Sequence, residues 1–350
     1  MSDLEQDYRH LKAQLLNDWD NLSSLQKFKV ACLPDFFFDI ILTPQKGYES
    51  FLQDIEEVYN RGGGVYKSAS LTLSPGGNAG NMAVVLGSLG LQPVFITKVS
   101  AFGKSIIEHF MKPFGIDLAI TGTGVMPSTV ALELERGDSY SNVMINTNLD
   151  TLSRFGPEQL EQFQWDLISQ VDIVAITNFC ANDCYIELVR AMKKRTSRIF
   201  LDFSDISGRR SQIEAIHQLF GEMSREISHV SVNENEIAFL SNQLPGQENP
   251  LKLAEILAEE HPNITFCLHT AGYSAEIRNG KSISKVPALP VKLKRVTGAG
   301  DTWNAGYLFA LDHTEPEQRL LFANSCAAYR MATEEFPTVI KLKKFLNSIE

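Results

Sequence analysis

The sequence predicts an α/β protein whose central sheet is mostly parallel and covered by helices on both faces. Short apolar runs rich in β-branched residues, such as PVFITKV and VDIVAIT, alternate with longer amphipathic stretches. This alternation is typical of strand–helix–strand units, in which each helix crosses back over the sheet. One region departs from it, because STVALELERGDSYSNVMI has the alternating pattern of a two-stranded hairpin. Together with YKSASLTL, this hairpin is expected to form a small second sheet.

Length, charge and cysteine content limit the classes of protein to consider. The chain has 350 residues, 44% of them hydrophobic, and a formal net charge of −10. The absence of a Lys/Arg cluster argues against a nucleic-acid partner. The N-terminal stretch is polar, and no apolar run approaches the roughly 20 residues that a membrane helix needs. Five scattered cysteines are typical of free thiols in a reducing compartment, so we expect a cytoplasmic protein.

The N-terminal stretch is expected to stand apart from the rest of the chain. Residues 1–26 repeat apolar side chains at spacings of three and four, which predicts one amphipathic helix. We therefore divide the chain into a helical extension, 1–27, and one main domain, 28–350. The strands of the small sheet are expected within about 40–75 and 120–148.

The stretch RVTGAGDTWNAG places three small residues before an acid. Gly298, Ala299 and Gly300 leave their backbone N–H groups accessible to a ligand. The apolar run that follows predicts a buried helix beginning near Asp301 or Thr302. Because a helix N-terminus attracts anions, an acid in its first turn would lie beside a bound phosphate. The alternative is that Asp301 only caps the helix.

A second glycine-rich stretch, SPGGNAGNMAVVLGSLG, joins a turn to a predicted helix. Gly76, Gly77 and Asn78 form the turn, and Asn81 belongs to the first helical turn. Amide side chains both donate and accept hydrogen bonds, which suits the hydroxyl groups of a polyol. FKVACLPDFFFDIIL predicts a buried strand ending near Asp39, whose carboxylate would complete such a site. The alternative role for the two asparagines is helix capping.

These two motifs, in this order, resemble the signature regions of the ribokinase-like (PfkB) family of sugar and nucleoside kinases. The resemblance extends from about Phe28 to the C-terminal helices. It includes the Asn-x-x-Glu pattern at Asn233 and Glu236 and the Thr-x-Gly pattern at Thr270 and Gly272. It implies a three-layer α/β/α sandwich with a small β-sheet lid, and transfer of the γ-phosphoryl group of ATP to a hydroxyl group, with Mg²⁺.

The resemblance also implies roles for individual residues. Asp301 would be the catalytic base, and three backbone amides would form an anion hole: Gly298, Ala299 and Gly300. The acceptor would lie among Asp39, Gly76, Gly77, Asn78 and Asn81. The nucleotide and its phosphates would contact Asn233, Thr270, Gly272 and Asn324. Glu236 would hold Mg²⁺ through water.

Three positions depart from the family pattern. Arg295 stands where the family carries an aspartate next to a monovalent cation. We expect the guanidinium to replace the charge of that cation, which would make activity independent of K⁺. Pro34 replaces a glycine before the substrate-binding acid, and Ala275 replaces the last glycine of the nucleotide loop. None of the three changes removes the base.

Two classes of phosphoryl acceptor remain possible at this point. A small sugar of the ribose, fructose or keto-sugar type and a nucleoside of the adenosine type would use the same residues. The alternative from another class is a non-catalytic regulator that binds a sugar or nucleotide. A complete GAGD motif together with Asn-x-x-Glu argues against that regulator. Both the lid and the N-terminal helix offer a surface for a homodimer.

Overall fold

A large sheet runs through the computed structural model, which describes residues 3–19, 28–136, 139–294 and 297–349. Its strands and those of a second sheet are β1 (Val30–Leu33), β2 (Phe37–Pro44), β3 (Ala69–Gly76), β4 (Val94–Lys98), β5 (Asp117–Thr121), β6 (Ser128–Arg136), β7 (Ser139–Thr147), β8 (Ile173–Ile176), β9 (Ile199–Asp202), β10 (Ile227–Val232), β11 (Thr265–His269), β12 (Tyr273–Arg278) and β13 (Lys281–Pro287).

The helices of the described residues alternate with these strands. They are α1 (Asp3–Asn17), α2 (Tyr48–Asn60), α3 (Asn78–Ser88), α4 (Ala101–Met111), α5 (Asp150–Ser153), α6 (Gln162–Ile168), α7 (Tyr185–Ala191), α8 (Ile213–Glu222), α9 (Glu234–Leu240), α10 (Pro250–Glu260), α11 (Ala299–Ala310), α12 (Pro316–Thr333) and α13 (Val339–Ser348).

The large sheet is covered on both faces. Its strand order is β13-β12-β11-β10-β9-β8-β1-β4-β5, parallel from β11 to β5 and antiparallel at β12 and β13. Side chains of β1 alternate between two hydrophobic cores: Val30 and Cys32 face one, Ala31 and Leu33 the other. The predicted three-layer α/β/α sandwich is therefore confirmed.

The second sheet, which we call the lid, has the strand order β3-β2-β6-β7. Its register places Ser74, Asp39, Thr129 and Asn146 side by side in one row across the four strands. Three of these four side chains line the main cleft of the molecule. The opposite side, the outer face of the lid, carries only apolar residues in the two adjacent rows: Ile40, Leu42, Leu71, Leu73, Val130, Leu132, Val143 and Ile145.

One strand prediction is wrong. FKVACLPDFFFDIIL does not form a single strand that ends near Asp39, because β1 ends at Leu33 and β2 begins at Phe37. Pro34 has no N–H group to extend the ladder. The next residue, Asp35, turns away to accept hydrogen bonds from the N–H groups of a neighbouring helix. Asp39 therefore lies within a strand of the lid.

The N-terminal helix is shorter than predicted. It ends at Asn17 instead of continuing to residue 26, and residues 20–27 are outside the described part. Leu15 and Trp19 are buried in the core, where the Trp19 and Phe322 rings lie 5.7 Å apart. Packing against its own α12 fixes this segment. No described helix combines the length and the hydrophobicity that crossing a membrane requires.

Candidate active site

The main cleft lies between the lid and the ends of the central strands and has a volume of about 520 Å³. Ten of the predicted site residues line it: Asp39, Gly77, Asn78, Asn81, Asn233, Glu236, Gly298, Ala299, Gly300 and Asp301. Four others do not line it: Gly76, Thr270, Gly272 and Asn324. Residues from four separate stretches of sequence therefore meet at one site. The prediction for Arg295 lies outside the described residues.

The GAGD stretch forms the N-terminus of α11. Gly298 adopts a left-handed conformation, with φ of 79°, and α11 begins at Ala299. The helix thus begins about two residues earlier than predicted, which places Asp301 within its first turn. Thr302 closes the turn by donating its N–H group, at 3.0 Å, and its hydroxyl, at 2.7 Å, to the Gly298 carbonyl oxygen. The first N–H groups of such a helix have no intrahelical partner and can bind an anion.

Asp301 is a buried carboxylate aimed into this cleft. Asn81 donates a hydrogen bond from Nδ2 to Asp301 Oδ2 at 2.8 Å. Burial, followed by the charge of Asp202, raises the pKa of Asp301 well above that of an exposed aspartate, and the Asn81 amide acts in the opposite direction. A carboxylate with a raised pKa is a stronger proton acceptor once it is ionised.

Asp202 is a second buried acid, which the sequence analysis missed. It ends β9, and its oxygens accept hydrogen bonds from the N–H group of Ser204 and from Asn304 Nδ2. Asn304 is in turn held by the Ser231 hydroxyl at 2.6 Å. Burial raises the pKa of Asp202 to about 6. An acid directly after a buried parallel strand was the available signal, because ligands bind at the carboxyl ends of such strands.

Asp35, also missed, shapes the second glycine-rich turn. This fully buried carboxylate accepts hydrogen bonds from the N–H groups of Asn78, at 2.6 Å, and Ala79, at 3.1 Å. It also accepts bonds from Thr177 at the end of β8 and from Asn178. A Cβ atom on Gly77 would lie 2.9 Å from the Asp35 carboxylate, and its φ is 84°. Only glycine therefore fits between the turn and this acid.

Asp39 has a comparable relation to Gly76. A Cβ atom on Gly76 would lie 2.2 Å from Asp39 Oδ2, so the missing side chain makes room for the carboxylate. Gly76 therefore makes room for Asp39 without lining the cleft itself. In the same row of the lid, Thr129 donates a hydrogen bond from Oγ1 to Asn146 Oδ1 at 3.1 Å. Neither Thr129 nor Asn146 was predicted, since only the strand register brings them to the cleft.

Asn233 and Glu236 form a capping box at the start of α9. Asn233 Oδ1 accepts the N–H group of Glu236 at 3.0 Å, and the Glu236 carboxylate accepts the Asn233 N–H at 2.9 Å and Nδ2 at 2.8 Å. Burial, followed by the charge of Asp202, raises the pKa of Glu236 well above its usual value. Carboxylate oxygens are the ligands that Mg²⁺ prefers, and Glu236, Asp202 and Asp205 all line the cleft, although their oxygens do not all lie within 4.8 Å of one another.

The residues that are predicted to contact the nucleotide form hydrogen bonds with other groups of the protein. Thr270 Oγ1 accepts the N–H groups of Gly272 and Tyr273 in the turn between β11 and β12. Asn324, on α12, accepts a bond from the Trp303 indole at 2.8 Å and donates to a backbone carbonyl at 3.0 Å. Through Trp303, Asn324 contacts the helix that carries Asp301. The predicted nucleotide contacts of these residues stay predictions.

A left-handed glycine, a buried acid in the first turn of a helix and a small sheet over the strand ends are compatible with a phosphotransferase site. The comparison with protein families agrees, because the model of the pfkB family carbohydrate kinases matches residues 48–335. The chain belongs to this family and is a carbohydrate kinase.

Relatives and solved structures are consistent with this assignment. Ribokinase of Bacillus subtilis is 27% identical over 259 residues, which are 73% of this chain and 80% of the relative. The 5-dehydro-2-deoxygluconokinase of Listeria monocytogenes is 22% identical over 79% of this chain and 87% of its own length. The structure of Arabidopsis thaliana ribokinase complexed with ribose and ATP aligns with a TM-score of 0.67 and 18% identity, covering 91% of this chain and 98% of that one.

Proposed function

We propose that the protein transfers the γ-phosphoryl group of ATP to a hydroxyl group of a small sugar of the ribose, fructose or keto-sugar type. The observation that carries this proposal is the buried Asp301 carboxylate, hydrogen-bonded to Asn81 in the first turn of α11. A base beside a helix N-terminus brings a proton acceptor and an anion site together. Phosphoryl transfer to an alcohol requires both.

The reaction can be written with these side chains. Asp301 accepts the proton of the acceptor hydroxyl while that oxygen forms a bond to the γ-phosphorus, and the bond from phosphorus to the β–γ bridging oxygen breaks to release ADP. The amides of Gly298, Ala299 and Gly300 stabilise the charge on the transferring group. Asn81 fixes the orientation of the base. When the lid closes, it would exclude water, which otherwise competes as the phosphoryl acceptor.

Mg²⁺ and the nucleotide belong to the same proposal. Mg²⁺ would neutralise phosphate charge, and Glu236 would hold it through water because both of its oxygens already accept hydrogen bonds from Asn233. Asn233 would face the phosphates. We propose that the adenine and ribose of ATP contact Thr270, Gly272 and Asn324, as the family resemblance implies.

The alternative acceptor is a nucleoside of the adenosine type, because Asp39 and Asn78 could bind the hydroxyl groups of its ribose equally well. A sugar- or nucleotide-binding regulator is the remaining alternative. The measurement that separates them is ADP formation from Mg-ATP with pentoses, hexoses, keto-sugars and nucleosides, with Asp301→Asn as control. We expect turnover that depends on one acceptor class and falls by about 10²–10⁴-fold in the variant. Ligand binding without any turnover would support the regulator instead.

We further propose that two copies associate through the outer face of the lid. Its strands leave Leu71, Leu73, Val143 and Ile145 each about half exposed. In the N-terminal segment, the other surface considered, Leu15 and Trp19 are buried and Leu11 and Leu16 are partly buried against the core of the same chain. We expect Leu73→Lys to shift a dimer to a monomer in sedimentation experiments. Ile340→Lys, which changes an exposed apolar residue on α13, should not.

For the compartment we propose the cytoplasm. All five cysteines are free thiols, and Cys32, Cys267 and Cys326 are buried. Unpaired cysteines in a protein of this size are typical of a reducing environment.

A further inference from the structure

Two histidines and a glutamate meet where α8 approaches the C-terminal end of α10. His217 lies on α8, Glu260 is the last residue of α10, and His261 follows it directly. One ligand atom of each side chain lies within 4.8 Å of the other two. Among the residues that the structure describes, no other three His, Cys, Asp or Glu side chains offer ligand atoms this close together. None of the three lines the main cleft, so the kinase reaction does not account for them.

The hydrogen bonds of His217 determine which of its ring nitrogens carries the hydrogen. Nε2 lies 2.9 Å from the Leu240 carbonyl oxygen at the end of α9. Because a carbonyl oxygen only accepts, Nε2 must donate, and in the neutral ring Nδ1 then keeps a lone pair. That lone pair is directed at His261 Nε2, 3.1 Å away. A backbone carbonyl that binds the second nitrogen of a histidine is a typical outer contact of a metal-binding imidazole.

The separation of these two nitrogens suits a shared metal ion. Zn²⁺ binds histidine nitrogens at about 2.0–2.1 Å in tetrahedral sites, which places two such nitrogens roughly 3.3–3.4 Å apart. The observed distance of 3.1 Å therefore needs only a small change to accept the ion. The alternative is a simple hydrogen bond from His261 Nε2 to His217 Nδ1.

The surrounding helices hold the ligands in place and favour a cation. Ile216 and Phe220 of α8 are buried, and the Phe220 ring packs edge to face against the His261 ring, with centroids 5.1 Å apart. Glu259 and Glu260 are both exposed in the last turn of α10, which contains no basic residue. Acids at this end lie beside the negative pole of the helix dipole, which is unfavourable. A bound cation would offset that charge.

We infer that His217, His261 and Glu260 bind a transition-metal ion of the Zn²⁺ type, with water as the fourth ligand, and that the ion ties α8 to α10. Two imidazoles with one carboxylate suit Zn²⁺, Co²⁺ or Ni²⁺, whereas Mg²⁺ prefers oxygen ligands alone. The ion would replace the hydrogen between the two rings, and the hydrogen of His261 would then lie on Nδ1. This site is separate from the Mg²⁺ of the proposed reaction, so the inference does not depend on the proposed function.

The test uses the full chain, freed of metals with EDTA and exchanged into buffer with excess Mg²⁺, which competes for the carboxylates of the cleft. Zn²⁺ should raise the melting temperature, because an ion that binds only the folded state stabilises it. Co²⁺ reports the ligand geometry, since tetrahedral Co²⁺ with nitrogen ligands absorbs visible light strongly. We expect one Co²⁺ per chain with such a spectrum, and its displacement by Zn²⁺.

Substitutions of the ligands have matched controls. Glu260→Gln and Glu259→Gln remove the same exposed charge from adjacent positions, but only the first should weaken Zn²⁺ binding, by about tenfold or more. His261→Gln should weaken it by about 100-fold or more and abolish the Co²⁺ spectrum. His109→Gln, which changes an exposed histidine on α4, should alter neither. Melting temperatures without Zn²⁺ show that each variant is folded.

Several results would overturn the inference. Absence of both the stabilisation and the visible spectrum would mean that the two histidines form only a hydrogen bond. A Zn²⁺ effect of full size in His261→Gln would assign the ion to other residues, and its additional loss in Glu236→Gln would assign it to the cleft. Equal weakening by Glu260→Gln and Glu259→Gln would contradict ligation by Glu260. Turnover plays no part in these measurements, so a failure of the kinase function would leave them unaffected.

Discussion

We call the large α/β/α sandwich the body. The N-termini of its helices α3 and α11 and the strands of the lid present polar groups to the same cleft in different ways. Asp301 is only 8% exposed, and its partner Asn81 lies on another helix of the body. Met144 of the lid, which also lines the cleft, is 49% exposed. Body side chains such as Asp202 and Asp301 accept hydrogen bonds from several separate elements, whereas in the lid Thr129 and Asn146 are hydrogen-bonded to each other across neighbouring strands.

This difference indicates separate roles for the body and the lid. Proton transfer and charge stabilisation need groups held within a fraction of an ångström, which a buried network provides. We expect recognition of the acceptor to tolerate a less constrained surface, because the substrate itself would complete the contacts with the lid. We therefore expect body variants to change kcat and lid variants to change the KM of the acceptor.

The largest effect is expected from Asp301→Asn. The amide has nearly the same shape but cannot accept the proton, so kcat should fall by about 10²–10⁴-fold, while the acceptor KM changes little. Steady-state kinetics with saturating Mg-ATP measure both constants. Stabilisation by the acceptor in thermal shifts should persist. A variant that keeps wild-type kcat would mean that another group takes the proton.

The second-largest effect is expected from Gly76→Ala, which tests how the glycine-rich turn positions Asp39 of the lid. In Gly76→Ala, the new methyl group would lie 2.2 Å from the Asp39 carboxylate, so that side chain must move. Overpacking of this kind costs about 1–3 kcal/mol. If this cost falls on acceptor binding, the acceptor KM should rise by about 5–150-fold. Gly221→Ala, on the exposed side of α8, is the matched control, because no atom lies within 4 Å of its Cβ position. Equal effects of both changes would contradict the role given to Gly76.

The sequence predicted the body better than the lid, for a physical reason. The GAGD and GGN turns carry their own backbone geometry, since the glycines and the helix that follows are adjacent in the chain. Asp202 and Asn146 reach the cleft only through pairings between distant strands, which a single sequence does not specify. Asp39 was predicted at the site, but its strand was misassigned because Pro34 divides an apolar run that is otherwise continuous.

A third prediction concerns the stability of the body. The pKa of Asp202 is about 6 when folded, above its usual value near 4, so the folded state binds the extra proton in this interval. Its contribution to the free energy of unfolding is present below pH 4 and is lost as pH rises through about 6, a loss of up to about 2–3 kcal/mol.

Urea denaturation of the ligand-free protein at pH 4.5 and 7.5 measures this loss. In Asp202→Asn, the difference in the free energy of unfolding between pH 4.5 and pH 7.5 should be smaller than in the wild type by about 2–3 kcal/mol. Glu248→Gln removes an exposed acid from a loop and should leave the difference as in the wild type. If Asp202→Asn keeps the full pH dependence, then other buried acids, such as Glu236, carry it.

The smallest effect is expected in the lid. Asn146 lines the cleft from the lid, and we expect its side chain to form one hydrogen bond with the acceptor. One such bond contributes about 1 kcal/mol, so Asn146→Ala should raise the acceptor KM by roughly fivefold. The kcat value and the KM for ATP should stay within about twofold of wild type, because Asp301 and the α11 N-terminus are unchanged. Thr147→Ala should alter none of these constants. If Asn146→Ala lowered kcat and left the acceptor KM unchanged, the lid would contribute to the chemical step, and the division between the two regions would not hold.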